Sequence, residues 1–156
     1  MLEVKPIQLE NIVDVKKLAD ANRNSLGFIP KKKFEEIVGQ KRGTVAFQND
    51  IIVGFVVYRH RKIDSQTTLS EICVHNDYRN QHIGSKLMLS LVQDCEQRSR
   101  EFIQLKCPVD LAANGFYEKL GFRLHAIEEG KKRQLNVWRL AISHCQAESK
   151  TEIWIL

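Results

Sequence analysis

Residues 69–88 read LSEICVHNDYRNQHIGSKLM, a strand pattern that runs through a polar loop into the start of a helix pattern. The strand part covers residues 69–75 and alternates between two faces. Ile72 and Val74 make one of these faces apolar. The other face carries the side chains that can do chemistry, namely Glu71, Cys73 and His75. The alternation therefore predicts a strand that separates the hydrophobic core from a candidate site.

The helix that follows has the most regular pattern in the chain. Its apolar residues recur at helical spacing and are Ile83, Leu87, Met88, Leu91, Val92 and Cys95. Unpaired backbone N–H groups and the positive end of the helix dipole make the start of such a helix a suitable site for a phosphate anion. An ordinary strand-to-helix turn with a glycine near its cap has the same pattern, so this segment alone leaves both interpretations open.

The chain before this unit shows patterns for a strand, two helices and a β-hairpin. They comprise a strand over residues 2–8, a helix capped by Asn11, a loop over residues 24–29, and a helix opened by Pro30 and ended by Gly39. The pair Asn49-Asp50 predicts a hairpin turn. Its second strand, residues 51–58, is apolar throughout, which predicts burial on both faces.

The chain after the long helix adds three strands and a helix. They are a strand around residues 103–107, a helix over residues 111–120, and strands over roughly residues 122–128 and 133–142. Strand–helix–strand units predict parallel neighbours, and hairpins predict antiparallel ones. The predicted fold class is therefore α+β, with a mixed central sheet of about seven strands flanked by about four helices.

Composition favours a single folded domain with anionic partners. Hydrophobic residues make up 43% of the chain and charged residues 28%, which is typical of a globular protein and excludes a disordered one. The net charge of +5 suits a phosphorylated cofactor, an acidic protein surface or a nucleic acid. The densest basic runs, residues 31–33 and 131–133, lack the aromatic residues that stack on bases, so a nucleic-acid partner is not favoured.

The four cysteines are far apart and show no zinc-ligand spacing, so we expect no metal site and a reducing compartment. No apolar run reaches the length of a membrane span, and the N-terminus has no targeting pattern. We therefore expect a cytoplasmic protein without a membrane partner.

Two segments resemble one enzyme family. Residues 78–87, Y-R-N-Q-H-I-G-S-K-L, resemble the acetyl-CoA loop of the GCN5-related N-acetyltransferases, called GNAT. Residues 114–122, N-G-F-Y-E-K-L-G-F, are similar to the late helix of that family and its turn into the next strand. The resemblance implies a single GNAT domain over residues 1–142, with residues 143–156 as a C-terminal extension. It also implies an enzyme that transfers an acetyl group from acetyl-CoA to a primary amine.

The resemblance implies how acetyl-CoA is held. The backbone amides of residues 79–85 would cradle the pyrophosphate, residues 72–74 would pair with the pantetheine arm as an extra strand, and Asn114 is a further candidate. The full set of expected cofactor contacts is Ile72, Cys73, Val74, Arg79, Asn80, Gln81, His82, Ile83, Gly84, Ser85, Lys86, Asn114 and Tyr117.

The resemblance also implies Tyr117 as a catalytic residue, and the strand pattern adds Glu71, which lies on the non-core side of its strand two residues before Cys73. Tyr117 would protonate the departing thiolate, because a phenol with an ordinary pKa of about 10 is protonated at neutral pH. Glu71 would accept the proton of the amine directly or through water, and an amide near Val74 would polarise the thioester carbonyl. His75 is a second candidate base. A structural interpretation remains open for both catalytic residues, as core packing for Tyr117 and as a surface ion pair for Glu71.

The chain departs from the GNAT pattern at two loop positions. Asn80 and His82 stand where glycine is usual, and a positive φ costs more free energy at His82 than at a glycine. This departure leaves a catalytically weakened acyl-CoA-binding module as one alternative. The net charge of +5 leaves another, an acetyltransferase acting on an RNA or ribosome-associated substrate. Asp110 also stands where the family commonly has asparagine.

The acceptor is not defined by the sequence beyond a small-molecule or peptide amine. In the fold that the chain resembles, residues 23–34 and 125–135 line the acceptor side, so we expect these segments to shape specificity. The apolar end of the chain, residues 153–156, is expected to add an edge strand or to dock on a second copy, which would give a homodimer.

Overall fold

The computed structural model describes residues 1–142, which form one mixed seven-stranded sheet. The strands are β1 (Leu2–Pro6), β2 (Gly43–Gln48), β3 (Ile51–His60), β4 (Gln66–Val74), β5 (Phe102–Pro108), β6 (Arg123–Glu129) and β7 (Gln134–Ala141). Their order across the sheet is β1-β2-β3-β4-β5-β7-β6. Only the β4–β5 pair is parallel among these neighbours. The predicted α+β fold with about seven strands is confirmed.

Within residues 1–142, five helices flank the sheet. They are α1 (Ile12–Ala21), α2 (Arg23–Leu26), α3 (Lys31–Gly39), α4 (Ile83–Gln97) and α5 (Ala113–Lys119). The short helix α2 overlaps the start of the segment 24–29 that was predicted to be a loop, so that prediction is wrong over residues 24–26. Leu26 N–H donates to Asn22 O at 3.0 Å, and Gly27, with φ of 74°, ends the turn.

A hydrophobic core lies on each face of the sheet. One core collects the stripe of α4 together with Tyr117, Phe122 and Trp138. The other collects the apolar faces of α1 and α3, with Phe34 and Phe55 at its centre. Strand β3 is buried from Ile52 to Tyr58, as its continuous apolar run predicts. No helix within residues 1–142 is long and apolar enough to cross a membrane.

Strands β4 and β5 pair over only a short distance. Their parallel register covers three pairs and stops at Thr68 opposite Gln104. On its other side, β4 remains paired with β3 as far as Val74 opposite Gly54. The second half of β4 therefore has one paired edge and one edge that faces an opening between β4 and β5.

A register shift in β4 changes which side chains face this region. Val57 pairs with Glu71 and Tyr58 pairs with Leu69, so Ser70 is the extra residue of a β-bulge. Leu69 and Ile72 consequently belong to the same core, although regular alternation would place them on opposite faces. From Ile72 onward the alternation is as predicted, with Cys73 in the core on the opposite face.

Helix α4 lies unusually close to β3 because residue 54 has no side chain. A Cβ atom at Gly54 would lie 2.9 Å from Cys73 O, 3.1 Å from Leu87 Cδ1 and 3.3 Å from Ile83 Cγ2. The first of these contacts is with backbone, which cannot rotate away. Gly54 therefore sets how closely α4 approaches the sheet.

The loop before α4 contains two residues with a left-handed backbone. Asn80 has φ of 63°, and His82, the N-cap residue of α4, has φ of 64°. Asparagine tolerates this region better than most residues, whereas histidine without a local side-chain hydrogen bond adopts it at a cost of about 1 kcal/mol. The loop thus keeps a glycine-like conformation with residues that do not prefer it.

Replacing Gly54 with alanine should destabilise the fold by about 1–3 kcal/mol, because the added methyl group overlaps backbone and two core side chains. Urea unfolding measures the change. Gly39→Ala is the matched control, since a Cβ there meets nothing within 4 Å and Gly39 is helical. We expect it to be neutral or up to about 1 kcal/mol stabilising. Equal effects of the two variants would contradict the close-approach argument.

The strain at His82 makes a second prediction about stability. His82→Gly should leave the free energy of unfolding unchanged or raise it by up to about 1 kcal/mol, because relief of the left-handed conformation offsets the added chain entropy. His82→Val should lower it by about 1–2 kcal/mol, because a β-branched residue is disfavoured at positive φ. Thermal unfolding of the pair tests this, and a valine variant as stable as the glycine variant would show that position 82 is not left-handed in solution.

Candidate active site

The first turn of α4 presents backbone donors toward the loop. Lys86 N–H makes a hydrogen bond with His82 O at 3.1 Å, so the N–H groups of residues 83–85 precede the first full turn and have no partner in the helix. They lie at the positive end of the helix dipole. The side chain of Ile83 is buried in the core, so Ile83 can contact a ligand only through its backbone. The side chains of Arg79, Asn80, Gln81, His82 and Lys86 are exposed around this turn.

Gly84 joins this turn to the rest of the site. A Cβ atom at Gly84 would lie 3.1 Å from Phe116 Cζ and 3.8 Å from Val74 Cγ2. The start of α4 is therefore in close contact with α5 and with the end of β4. The Arg79 guanidinium fixes the loop further, since it donates to Val74 O at 3.4 Å and to Asn22 Oδ1 at 3.0 Å.

The backbone of Ile72–Val74 lies along the open edge of β4, where the pairing with β5 has stopped. Cys73 is only 6% exposed, and burial raises the pKa of its thiol to about 12. The thiol is therefore neutral, and Cys73 can contact a ligand only through its backbone. Among the residues that the structure describes, Cys73, Cys95 and Cys107 are all free and buried.

Tyr117 combines core packing with a protonated phenol. It is 8% exposed, and its ring packs edge-on against Phe116 at 5.5 Å and Phe122 at 5.8 Å. Burial raises the pKa of Tyr117, and the charges of Cys107 and Glu71 raise it further. The phenol thus remains protonated at neutral pH, as a proton donor must.

Glu71 lines a cavity of about 400 Å³ on the α3 side of β4. Burial raises the pKa of this carboxyl group to about 7, and no basic side chain within residues 1–142 lies at ion-pair distance from it. The alternative of a surface ion pair is therefore not supported. A carboxyl group with this pKa suits the task of a general base near neutral pH.

The bulge at Ser70 explains how this cavity is built. Ser70 and Glu71 are consecutive, yet both line it, which a regular strand would not permit. Opposite them lie Phe28 and Phe34, from the segment 23–34 that was expected to shape acceptor specificity. None of the lining residues of this cavity comes from residues 125–135.

His75 is a capping residue in this structure. Its Nδ1 atom accepts a hydrogen bond from Asp77 N–H at 3.1 Å, which caps the 3-10 turn Asn76–Tyr78. Its ring also packs edge-on against Tyr78 at 5.4 Å. One ring nitrogen is thus committed to the loop, and Glu71 is the better placed base of the two candidates.

Asn114 makes hydrogen bonds that hold the end of β5 and the start of α5. Its amide nitrogen donates to Pro108 O and Leu111 O, each at 2.8 Å, and to Val109 O at 3.3 Å. Its Oδ1 atom accepts from Trp138 Nε1 at 2.8 Å and from Asn136 Nδ2 at 3.1 Å. A cofactor contact by this side chain would have to replace one of these bonds, so the structure gives Asn114 a positioning function near Tyr117.

Asp110 stands where the family commonly has asparagine, and it forms an ion pair. It lies 3.5 Å from the Arg133 guanidinium, so its charge is compensated.

Within the described residues 1–142, no group of three or more His, Cys, Asp or Glu side chains gathers in a way that could hold a metal ion.

Arg42 and Arg59 also line the Glu71 cavity, although no sequence pattern pointed to them. Arg42 is 8% exposed although it is charged. Its place directly before the apolar strand β2 is the one sequence signal that could have indicated burial. Ser70 was missed as well, because a bulge depends on the partner strand.

Solved acetyltransferase structures share this fold. The ribosomal-protein-S18-alanine N-acetyltransferase of Escherichia coli is 21% identical, with a TM-score of 0.78 over 94% of this chain and 97% of that one. Arabidopsis thaliana Naa50, solved in complex with the bisubstrate analogue CoA-Ac-MVNAL, is 18% identical, with a TM-score of 0.76 over 89% of this chain and 97% of that one. At these identities the likeness establishes the fold alone.

Sequence comparison identifies a relative and a family. N-alpha-acetyltransferase 30 of Schizosaccharomyces pombe is 33% identical over 82 residues, which are 50% of this chain and 55% of that protein. The chain thus spans about half the length of the curated relative it matches. The family model described as the acetyltransferase (GNAT) domain matches residues 15–142, which include the α4 loop, Glu71 and Tyr117. The chain belongs to the GNAT acetyltransferase family.

Proposed function

We propose that the protein transfers an acetyl group from acetyl-CoA to the amine of a peptide or protein. The observation that carries the proposal is a pair of titratable side chains, Glu71 on the open half of β4 and Tyr117 on α5. Burial holds the pKa of Glu71 at about 7 and keeps Tyr117 protonated, so one group can accept a proton and the other can donate one under the same conditions.

The residues present fit coenzyme A. The backbone N–H groups of residues 83–85 at the start of α4 suit a pyrophosphate, and Gly84 leaves the close approach to Phe116 that a side chain would fill. The open edge of residues 72–74 suits the amide groups of a pantetheine arm. Acetyl-CoA would supply an acetyl group activated as a thioester. Several solved proteins with this fold carry coenzyme A or an analogue of it.

The side chains divide the proton transfers between them. Glu71, as the carboxylate, accepts the proton that the amine must lose to become a nucleophile. Tyr117 donates its phenolic proton to the departing sulfur, and the desolvated surroundings that raise its pKa keep that proton available. A backbone amide near Val74 stabilises the charge that develops on the acyl oxygen.

A peptide or protein acceptor is supported by the relatives. The curated relative is an N-alpha-acetyltransferase, and two of the solved proteins are named for ribosomal-protein alanine. The cavity beside Glu71 is bordered by Phe28 and Phe34, which would accept an apolar side chain next to the amine. Isothermal titration with acetyl-CoA, followed by thiol release in the presence of a peptide library, tests the proposal. Absence of acetyl-CoA binding at millimolar concentration would overturn it.

Tyr117→Phe should lower kcat by about 10²-fold with little change in acetyl-CoA affinity, because the ring still packs while the proton donor is lost. Tyr58→Phe is a matched control, since Tyr58 is also a buried tyrosine whose pKa burial raises, to about 12, but it lies on β3 near Asp94. We expect it to retain kcat. Steady-state kinetics on both variants compares them.

A Tyr117→Phe enzyme that consumes thioester at the wild-type rate would argue against this mechanism. Such a result would favour the alternative of a binding module that has kept the fold without the chemistry, which the non-glycine residues Asn80 and His82 suggest. The cytoplasmic location, the homodimer and the extension over residues 143–156 stay predictions; the extension lies outside the described residues.

The pH dependence should report Glu71. The carboxylate is the active form of a base, so kcat/KM should rise with pH through a midpoint near 7, which is the raised pKa of Glu71. Glu71→Gln should remove this limb and lower the plateau by about 10²-fold.

The raised pKa of Glu71 also predicts how the free energy of unfolding changes with pH. Because the pKa of Glu71 is raised on folding, the protonated carboxyl favours the native state below the unfolded value of 4.5, and that contribution is lost as pH rises through about 7. Glu71→Gln should therefore be more stable than wild type at alkaline pH, and the difference should vanish in acid. For the pH–rate profile, His75→Gln is the control variant. If the rise of kcat/KM with pH disappears in His75→Gln and persists in Glu71→Gln, the base is the histidine.

A further inference from the structure

Two cavities on the α3 side of the sheet share a set of basic side chains. The Glu71 cavity of about 400 Å³ and a neighbouring groove of about 920 Å³ are both lined by Lys33, Arg42 and Arg59. The groove continues past the end of β3, with more basic residues along its walls. We call it the basic groove and define it by Lys33, Lys41, Arg42, Arg59, Arg61 and Lys62.

Only part of this charge is neutralised by the protein. Lys33 lies 3.9 Å from Glu36, and Arg61 lies 3.2 Å from Asp64. Among the residues that the structure describes, Lys41, Arg42, Arg59 and Lys62 have no carboxylate within ion-pair distance. The groove therefore keeps a positive potential that favours an anionic ligand.

Arg42 is the strongest sign that an anion belongs there. Its side chain is more than nine-tenths buried, and its Nε atom donates to Gln40 Oε1 at 2.6 Å. Burial lowers the pKa of Arg42, the nearby charge of Arg59 lowers it further, and Glu36 offsets this only in part. A buried guanidinium beside a second one is unfavourable without a counter-ion, and a ligand carboxylate would supply it.

The lining of the groove favours a polypeptide over a nucleic acid. Apart from the His60 imidazole, no aromatic ring from residues 1–142 lines it, so this lining offers bases little surface on which to stack. Arginine guanidinium groups match the planar fork of a carboxylate. The groove also begins at the cavity that holds Glu71, where the acceptor amine must lie.

We propose that the basic groove binds acidic residues that follow the acceptor amine in a peptide or protein substrate, so that the enzyme selects acceptors with an acidic segment. The inference rests on the proposed function, because Glu71 marks where the amine lies. It adds to that function a substrate class and the residues that select it, Arg42 and Arg59 foremost.

The experiment compares two peptides of equal length with the same first two residues. One continues with Asp and Glu, and the other with Asn and Gln at the same positions. We expect kcat/KM to be at least about tenfold higher for the acidic peptide. The advantage should shrink as ionic strength rises. Fluorescence anisotropy of the labelled peptides, with coenzyme A present, measures the same preference as binding.

Variants assign the preference to the groove. Arg59→Gln should reduce the acidic-to-neutral ratio of kcat/KM severalfold, and Arg59→Glu should bring it to one or below. Arg42→Met should also reduce this ratio severalfold. Because Arg42 is buried, this variant could fail to fold, and the variants of the exposed Arg59 then carry the test. Lys17→Gln removes the same charge from an exposed position on α1, and the ratio should not change.

The outcomes separate the two levels of the proposal. Turnover of both peptides at one rate, unaffected by Arg59→Glu, would overturn the acidic-acceptor inference and leave the acetyltransferase intact. Turnover of neither peptide, together with absent acetyl-CoA binding, would overturn the proposed function itself. Inhibition by a single-stranded RNA oligomer that Arg59→Glu abolishes, without any preference among peptides, would assign the groove to nucleic acid and also contradict the inference.

Discussion

The parallel pairing of β4 with β5 stops at Thr68, and the site depends on the separation of the two strands beyond that point. A backbone edge without a strand partner must find other hydrogen bonds, so the open edge of residues 72–74 is itself a binding surface. The separation also leaves room for Tyr117 to approach from α5 and for Glu71 to face a cavity on the other side. Asn114 stabilises the far side of the opening, since it ties the end of β5 to α5 and to Trp138 on β7.

Positive potential is concentrated in two separate regions around the site, which the net charge of +5 alone does not show. At the start of α4 the positive potential comes from backbone N–H groups and the helix dipole, whereas beside Glu71 it comes from arginine and lysine side chains. Between them, burial raises the pKa of Glu71 to about 7 and keeps Tyr117 protonated at neutral pH. An anionic ligand group is thus expected at each end, with the proton-transfer groups in the desolvated middle. Salt screening should affect the two ends differently, because backbone dipoles act only over the first turn of a helix.

Much of the fold followed from the sequence because its signals are local. The stripe of α4 needs only its own residues, and the hairpin turn needs only Asn49 and Asp50, which tolerate their φ values of 50° and 67°. Helix α2 was missed because four residues are too few to show a period. The bulge at Ser70 and the burial of Arg42 were missed because each depends on a partner strand that the sequence does not place beside it. The site residues came mainly from motif resemblance, and the resemblance could not show that Asn114 is committed to five hydrogen bonds.

The close contact at Gly54 also governs the geometry of the ligand-binding surface. A Cβ atom at position 54 would meet Ile83 and Leu87 on α4 and the backbone of Cys73 on β4. The absence of that atom therefore sets both how closely the α4 amides approach the sheet and the path of β4. A long ligand that spans the two must match the spacing between them. A side chain at this position would force the Cys73 backbone, Leu87 or Ile83 to move, and so would change the spacing between the α4 amides and β4. The length of ligand that fits the site therefore depends on Gly54, a residue that belongs to the packing between helix and sheet.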